Sequence, residues 1–235
     1  MALLLALILG FAPGLLWLVF FLKEDVHPEP RKMIAKVFLI GGLSAFVALV
    51  IEFFTSDFFK GHSITFGALS SVNLTTFLGF AVIEEAVKFY FVWQIIHKSH
   101  YFDEPIDAMI YMITGALGFA TAENLFLVLS NGTGDTFTVI LLRFVGATLL
   151  HALSSAVIGY AWAWGLKRKE MIWHCFLGLL LASLFHATFN FLVYQFNTLL
   201  IYPTVFLIAV GFLVLYDFEK LRREEIDKEQ KKMLS

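Results

Sequence analysis

Seven stretches of this chain, residues 2–22, 33–54, 72–96, 106–130, 137–165, 171–194 and 198–216, are each apolar over most of their length. A hydrocarbon core about 30 Å thick takes roughly 20 helical residues to cross, and all seven reach or approach that length. In lipid every backbone N–H and C=O must be satisfied inside the protein, so only helices and closed barrels span it. These runs are continuous rather than alternating, which selects helices. The expected fold is therefore all-α, a polytopic transmembrane bundle of about seven spans (six to eight). With 59% hydrophobic residues, 27 of the 235 being phenylalanine, a water-soluble domain could not hide this much apolar surface. The first stretch has no basic flank and no small-residue cleavage site, so it is expected to be a retained span rather than a signal peptide.

Basic residues orient the bundle. The segments after spans 1, 3 and 5 and the C-terminal tail together hold 14 Lys and Arg, whereas the alternate loops hold only Lys60. The positive-inside rule then places the N-terminus outside and the C-terminus in the cytoplasm. Residues 55–71 are expected to form an outer loop and 97–105 an inner one. Residues 1–219 make a transmembrane domain, and 220–235 a charged cytoplasmic tail that suits lipid headgroups better than nucleic acid, because acids interleave its bases. A single cysteine, Cys175, excludes internal disulfides and cysteine metal clusters.

Ionisable side chains inside spans cost about 2.5–3.5 kcal/mol each even on lenient scales, and they persist where they face the bundle interior and find partners. Span 3 carries Glu84, Glu85 and Lys88; span 4, Glu123 and Asn124; span 5, Arg143 and His151; span 6, His186 and Asn190. Counted from the outer ends at 1.5 Å per residue, Glu85 and His151 lie about 20 Å deep and Glu123 and His186 about 11–12 Å deep. One polar layer shared by four helices is expected. The i,i+4 spacing of Glu84 and Lys88 suggests that these two pair, leaving Glu85 free. His186 and Asn190 project together for the same reason, and Arg143, near a span end, is expected to snorkel to headgroups.

Several chemistries lack their residues. No H-E-x-x-H pair exists. Ser154 and Ser155 have no glycine-rich turn of the rhomboid kind. The Gly132–Asp135 sequence GTGD and the Tyr216–Asp217 pair fall at opposite surfaces, so they form no aspartyl dyad. Two intramembrane histidines are too few for a desaturase. A glutamate–histidine hydrolytic site is left, with a base to activate water and donors to stabilise an oxyanion. A proton- or cation-coupled transporter would use the same residue types, although no inverted repeat or pair of broken spans accompanies them.

The sequence EEAVK (84–88), the series Asp107, Tyr111, Gly115, Gly118-Phe119-Ala120 and Glu123-Asn124, His151, and HATFN (186–190) together resemble the PrsW family of intramembrane proteases. That family is related to the CAAX prenyl endopeptidases and bacteriocin-processing proteins, and Lys88, where that wider group carries a nearby arginine, favours the PrsW branch. The resemblance spans about residues 80–190. It implies a multi-pass protease of the cell membrane that cleaves single-span membrane proteins, notably anti-sigma factors, at site 1. By the same resemblance Glu84 and Glu85 are the essential glutamates and His151 and His186 the histidines. Glu85 is favoured as general base, with Glu84 held by Lys88 and with His151, His186 and Asn190 on the scissile carbonyl. His151, His186 and one of Glu85 or Glu123 would supply the three ligands of a catalytic zinc; the same residues would equally serve a metal-free glutamate mechanism.

Overall fold

The computed structural model describes residues 2–25, 27–61, 74–131, 136–196 and 199–234. Among them the chain is entirely helical: α1 (Ala2–Phe21), α2 (Arg31–Gly61), α3 (Leu74–Ile96), α4 (Asp107–Asn131), α5 (Thr136–Val145), α6 (Ala147–Arg168), α7 (Met171–Gln195) and α8 (Ile201–Met233). Five segments are long and apolar enough to cross a membrane: Arg31–Phe59, Asp107–Ser130, Val139–Arg168, Met171–Gln195 and Ile201–Asp227; Leu7–Phe21 is a shorter apolar run. α3 has the length, 23 residues, but bears Glu84, Glu85 and Lys88 at its middle. The residues that spoil its hydropathy are the ones the bundle encloses.

Polarity is distributed as a lipid solvent requires. Phe53, Phe54, Ile172 and Phe212 are 70–85% exposed, whereas Glu85 and Lys88 are fully buried. Such an outer surface would be untenable in water. The chain is a multi-pass membrane protein.

α4 is the axis of the bundle and touches α1, α2, α3, α5 and α6. Its closeness to α2 depends on glycine. A Cβ at Gly118 would lie 1.9 Å from the Phe38 carbonyl oxygen, and one at Gly41 2.0 Å from that of Gly115. Small residues let transmembrane backbones approach where hydrophobicity supplies no drive. Ala45, Ala48, Phe119 and Ala122 continue the seam, which sets α4 deep enough for Glu123 to reach the centre.

Two boundaries differ from the sequence expectation. α2 runs on to Gly61, so residues 55–61 are helix rather than outer loop. No Gly or Pro lies between Gly42 and Gly61, and Thr55 and Ser56 satisfy their hydroxyls on the Ile51 and Phe53 carbonyls behind them. Residues 62–71 and the GTGD sequence lie outside the described residues. The fifth span, expected as one helix, is broken at Gly146 (φ −94°, ψ −95°) into α5 and α6. The break frees carbonyls at the end of α5, and the Trp17 indole N–H donates to one of them, Phe144 O, at 2.8 Å.

The opposite end of α4 is a structural tie. Asp107 Oδ2 accepts the backbone N–H groups of Asp103 and Glu104 at 3.1 and 2.8 Å. Tyr111 donates its hydroxyl to Glu29 at 2.5 Å, and His27 meets Glu104 at 2.6 Å. These contacts lock the α1–α2 connection to the α3–α4 connection. Burial is the leading influence on Asp25, Glu29 and Glu104 there and raises each carboxyl above its usual range. Asp107 lies 16 residues before Glu123, about 24 Å along the helix, so Asp107 and Tyr111 hold the scaffold and stay clear of the polar layer.

Candidate active site

α3, α4, α6 and α7 deliver the polar layer to one place. Lys88 donates from Nζ to Glu85 Oε1 at 2.7 Å and also meets His151 Nδ1 at 3.0 Å, with the Phe119 ring 4.7 Å from the ammonium. Lys88 therefore pairs with Glu85 rather than with Glu84. The i,i+3 reach is as available on a helix as i,i+4, and α6 and α7 place Ser155 and His186 around the same carboxylate. Ser155 donates to Glu85 Oε2 at 3.0 Å, and His186 Nδ1 lies 2.9 Å from Oε1. Both oxygens of Glu85 are engaged, so it is not the free carboxylate of the pair.

Glu84 is the free one. Its Oε2 has no hydrogen-bond partner, yet stands 3.8 Å from His151 Nδ1 and 3.7 Å from His186 Nε2. The two imidazoles face each other edge to face, with centroids 5.0 Å apart. On their far sides each meets a carboxylate: His186 Nδ1 meets Glu85, and His151 Nε2 meets Glu123 Oε2 at 2.9 Å. A carboxylate accepts, so the ring nitrogen facing it carries the proton. The other nitrogen of each ring then keeps a lone pair: that of His186 faces Glu84, and that of His151 lies between Glu84 and the Lys88 ammonium.

Arg143 does not snorkel outward. It donates from Nη2 to Glu123 Oε2 at 2.9 Å and from Nε to Asn124 Oδ1 at 2.6 Å, and Asn124 in turn donates to Thr148 at 3.2 Å. α5, set off from α6 by the break at Gly146, packs on α4 and brings Arg143 to Glu123 and Asn124. Asn190 is half-buried and makes no hydrogen bond among the described residues. Of the nine intramembrane polar residues singled out from the sequence, it alone stands outside the network.

Sequence reasoning missed Glu52. It lies on α2, a span to which the sequence reading assigned no member of the polar layer, and its carboxyl hydrogen-bonds Glu84 while Oε1 has no partner. A groove of about 520 Å³ runs along the outside of α2 past Leu49, Phe53 and Phe80, with Glu52 among its lining. The signal was present, since a lone Glu inside a 31-residue apolar helix is as costly as those of α3. Ser155 and Thr148 were also missed; hydroxyls carry no comparable hydropathy signal.

Glu84, His151 and His186 each offer a ligand atom within 4.8 Å of the others. This is the set a metal would meet, with Glu84 in the place the sequence reading gave to Glu85 or Glu123. Three features of the chain fit a cation. The histidine protons are held by carboxylates, as metal-ligating histidines require. Glu84 Oε2 is a buried oxygen without a donor. Four carboxyl groups (Glu52, Glu84, Glu85, Glu123) outnumber the two fixed cations, Lys88 and Arg143, and the Glu52–Glu84 contact needs a proton or a further cation between its oxygens. Glu29, Asp103 and Asp107 also gather oxygens, but Asp107 is committed to its backbone hydrogen bonds.

The sequence profile of a family described as PrsW family intramembrane metalloprotease matches residues 29–216. Three curated proteins, each named Protease PrsW, align over most of their length. That of Geobacillus kaustophilus is 29% identical over 88% of this chain and 87% of its own. The Oceanobacillus iheyensis protein is 27% identical over 92% and 96%, and the Bacillus subtilis protein 25% identical over 91% and 94%. No solved structure matches the chain.

Proposed function

Because the chain belongs to the PrsW family of intramembrane proteases, we propose that it hydrolyses a peptide bond of a single-span membrane protein, of the anti-sigma-factor kind, at Glu84, His151 and His186. The observation that carries this reading is the pair of carboxylate-backed imidazoles whose remaining nitrogens lie within 4.8 Å of Glu84 Oε2, a buried oxygen with no hydrogen-bond donor. Family membership also displaces the transporter alternative for the same polar layer.

A divalent metal such as zinc, held by these three residues, would supply Lewis-acid polarisation of a water and of the scissile carbonyl. Lys88 lies against His151 Nδ1, so ligation there requires its ammonium to turn wholly to Glu85. Glu85 and Glu123 fix the ring tautomers, and Ser155 and Arg143 hold those two carboxylates in place. Glu85, engaged on both oxygens, is then a positioning residue, and the general base passes to Glu52. Its Oε1 is free to take a proton from the attacking water and return it to the leaving amine. Substrate enters along the α2 groove past Glu52, unwinding locally so that its carbonyl can reach the site. Asn190, one helical turn from His186, is left to contact the substrate backbone.

The test uses purified, reconstituted protein and a single-span substrate. Glu52→Gln is expected to lower turnover by about 10²–10⁴-fold, the usual contribution of a general base, with metal content after zinc loading equal to wild type. Chelation should abolish cleavage, and zinc should restore it. Wild-type turnover in Glu52→Gln would remove the base assignment; full activity in thoroughly chelated protein would remove the metal.

The topology proposed is seven spans with the N-terminus outside, α5 and α6 together forming one crossing, residues 1–219 the protease domain and 220–235 a charged cytoplasmic tail. In a Cys175→Ala background, a membrane-impermeant thiol reagent applied to intact cells is expected to label Asp57→Cys and to spare Lys231→Cys. The reverse pattern would invert the bundle.

A further inference from the structure

α8 contacts α6 and α7 but leaves a wedge of about 630 Å³ against them at the end of the bundle where α6 stops and α7 begins. One end of the wedge is cationic and aromatic. Lys220 Nζ, Lys167 Nζ and Arg168 Cζ lie 4.6, 5.3 and 5.3 Å from the Trp164 ring centroid, and Lys220 is 5.9 Å from that of Tyr160. Their acids offset them only in part: Lys167 is paired with Glu224, and Asp217, in the lining, lies by Lys220 and accepts from Tyr160. Arg168 has no carboxylate partner among the described residues. Val157, Ala161, Leu177, Leu181 and Leu213 give the lining an aliphatic part, beside His174 and Tyr216.

We propose that this wedge is a binding site for one anionic phospholipid, its phosphate held by Arg168 and Lys220 beside Trp164 and an acyl chain lying between α8 and the α6–α7 pair. The chemistry is that of an amphiphile. A free phosphate would satisfy the cations and leave the aliphatic lining bare, and a zwitterionic lipid would not offset the charge of Arg168. Guanidinium matches phosphate in a bidentate fork, and Trp and Tyr favour the depth of the headgroups. The basic-residue count puts this end on the cytoplasmic side, where anionic lipid attracts juxtamembrane bases. Filling the wedge would join α8 to the bundle through lipid where protein contact is thin.

Full-length protein in detergent tests the proposal through its thermal unfolding, a readout independent of proteolysis and of any metal. Phosphatidylglycerol is expected to raise the midpoint, phosphatidylcholine to raise it less, and inorganic phosphate to leave it unchanged. In Arg168→Gln/Lys220→Gln the phosphatidylglycerol needed for half the shift should rise about tenfold or more, given the surface attraction of each base. Leu181→Trp, which fills the aliphatic part and keeps the cations, should remove the shift altogether. An equal shift with phosphatidylcholine, the full shift with phosphate alone, or wild-type phosphatidylglycerol dependence in both variants would each overturn the site.

Discussion

Glu84→Gln is expected to abolish cleavage of a co-expressed single-span substrate, by 10²-fold or more on the scale of about 10²–10⁴ for a reacting group, while the metal-stripped protein becomes no less stable. The two effects part because Glu84 does little for the fold. Its nearest imidazole nitrogens are 3.7 and 3.8 Å away, beyond hydrogen-bond distance, and its Oε2 is buried with no donor. Its contact with Glu52 sets two carboxyl groups together, which requires a proton or a cation between them. Neutralising one of them relieves a burden that for a buried unsatisfied group runs to about 1–3 kcal/mol. An unfolding midpoint at or above the chelated wild type, with zinc content and proteolysis both lost, is the expected pattern. Undiminished proteolysis in this variant would refute the proposed centre, and a large loss of stability would mean that Glu84 is a structural partner.

Its neighbour should behave in the opposite way. Glu85→Gln is expected to cost both activity and stability, because Glu85 is the hub of a buried network. Lys88 and His186 share its Oε1 and Ser155 holds its Oε2, all of them buried. Glutamine keeps the volume but offers one acceptor oxygen in place of two, and turns an amide donor toward groups that are themselves donors. It also strands the fully buried Lys88 ammonium, and breaking one side of such a pair costs about 3–5 kcal/mol. The companion Glu85→Gln/Lys88→Met removes the stranded charge. It should recover much of the lost stability without recovering activity, since His186 still lacks the carboxylate that fixes its tautomer. Thermal unfolding and substrate cleavage on the two variants decide the matter. A Glu85→Gln protein with wild-type midpoint and turnover would leave the network without a role.

These two expectations rest on different sources of information. Hydropathy alone showed that the chain lives in a bilayer as a helical bundle, because the cost of exposing backbone or charge to lipid is large and local. The same cost made Glu84, Glu85, Lys88, Glu123, His151 and His186 stand out, and their place in the interior of the spans was enough to expect them in one layer. Glu52 broke the same local rule, but its role lay beyond reach because its partner, Glu84, belongs to another helix.

Which glutamate Lys88 takes could not be read from spacing, since i,i+3 and i,i+4 are equally open on an isolated helix; Ser155 and His186, arriving from α6 and α7, settle it in favour of Glu85. Arg143 near a span end read as a residue bound for headgroups. In the fold it points inward to Glu123, from a short α5 that ends at the Gly146 break, where Trp17 of α1 holds the Phe144 carbonyl. The sequence by itself thus determined the solvent, the helices and the membership of the polar layer, because each follows from the transfer energy of single residues. The division of labour within that layer was decided by the tertiary structure, because a buried charge answers to the partners that other helices bring within about 3 Å, and those contacts are written in no one segment.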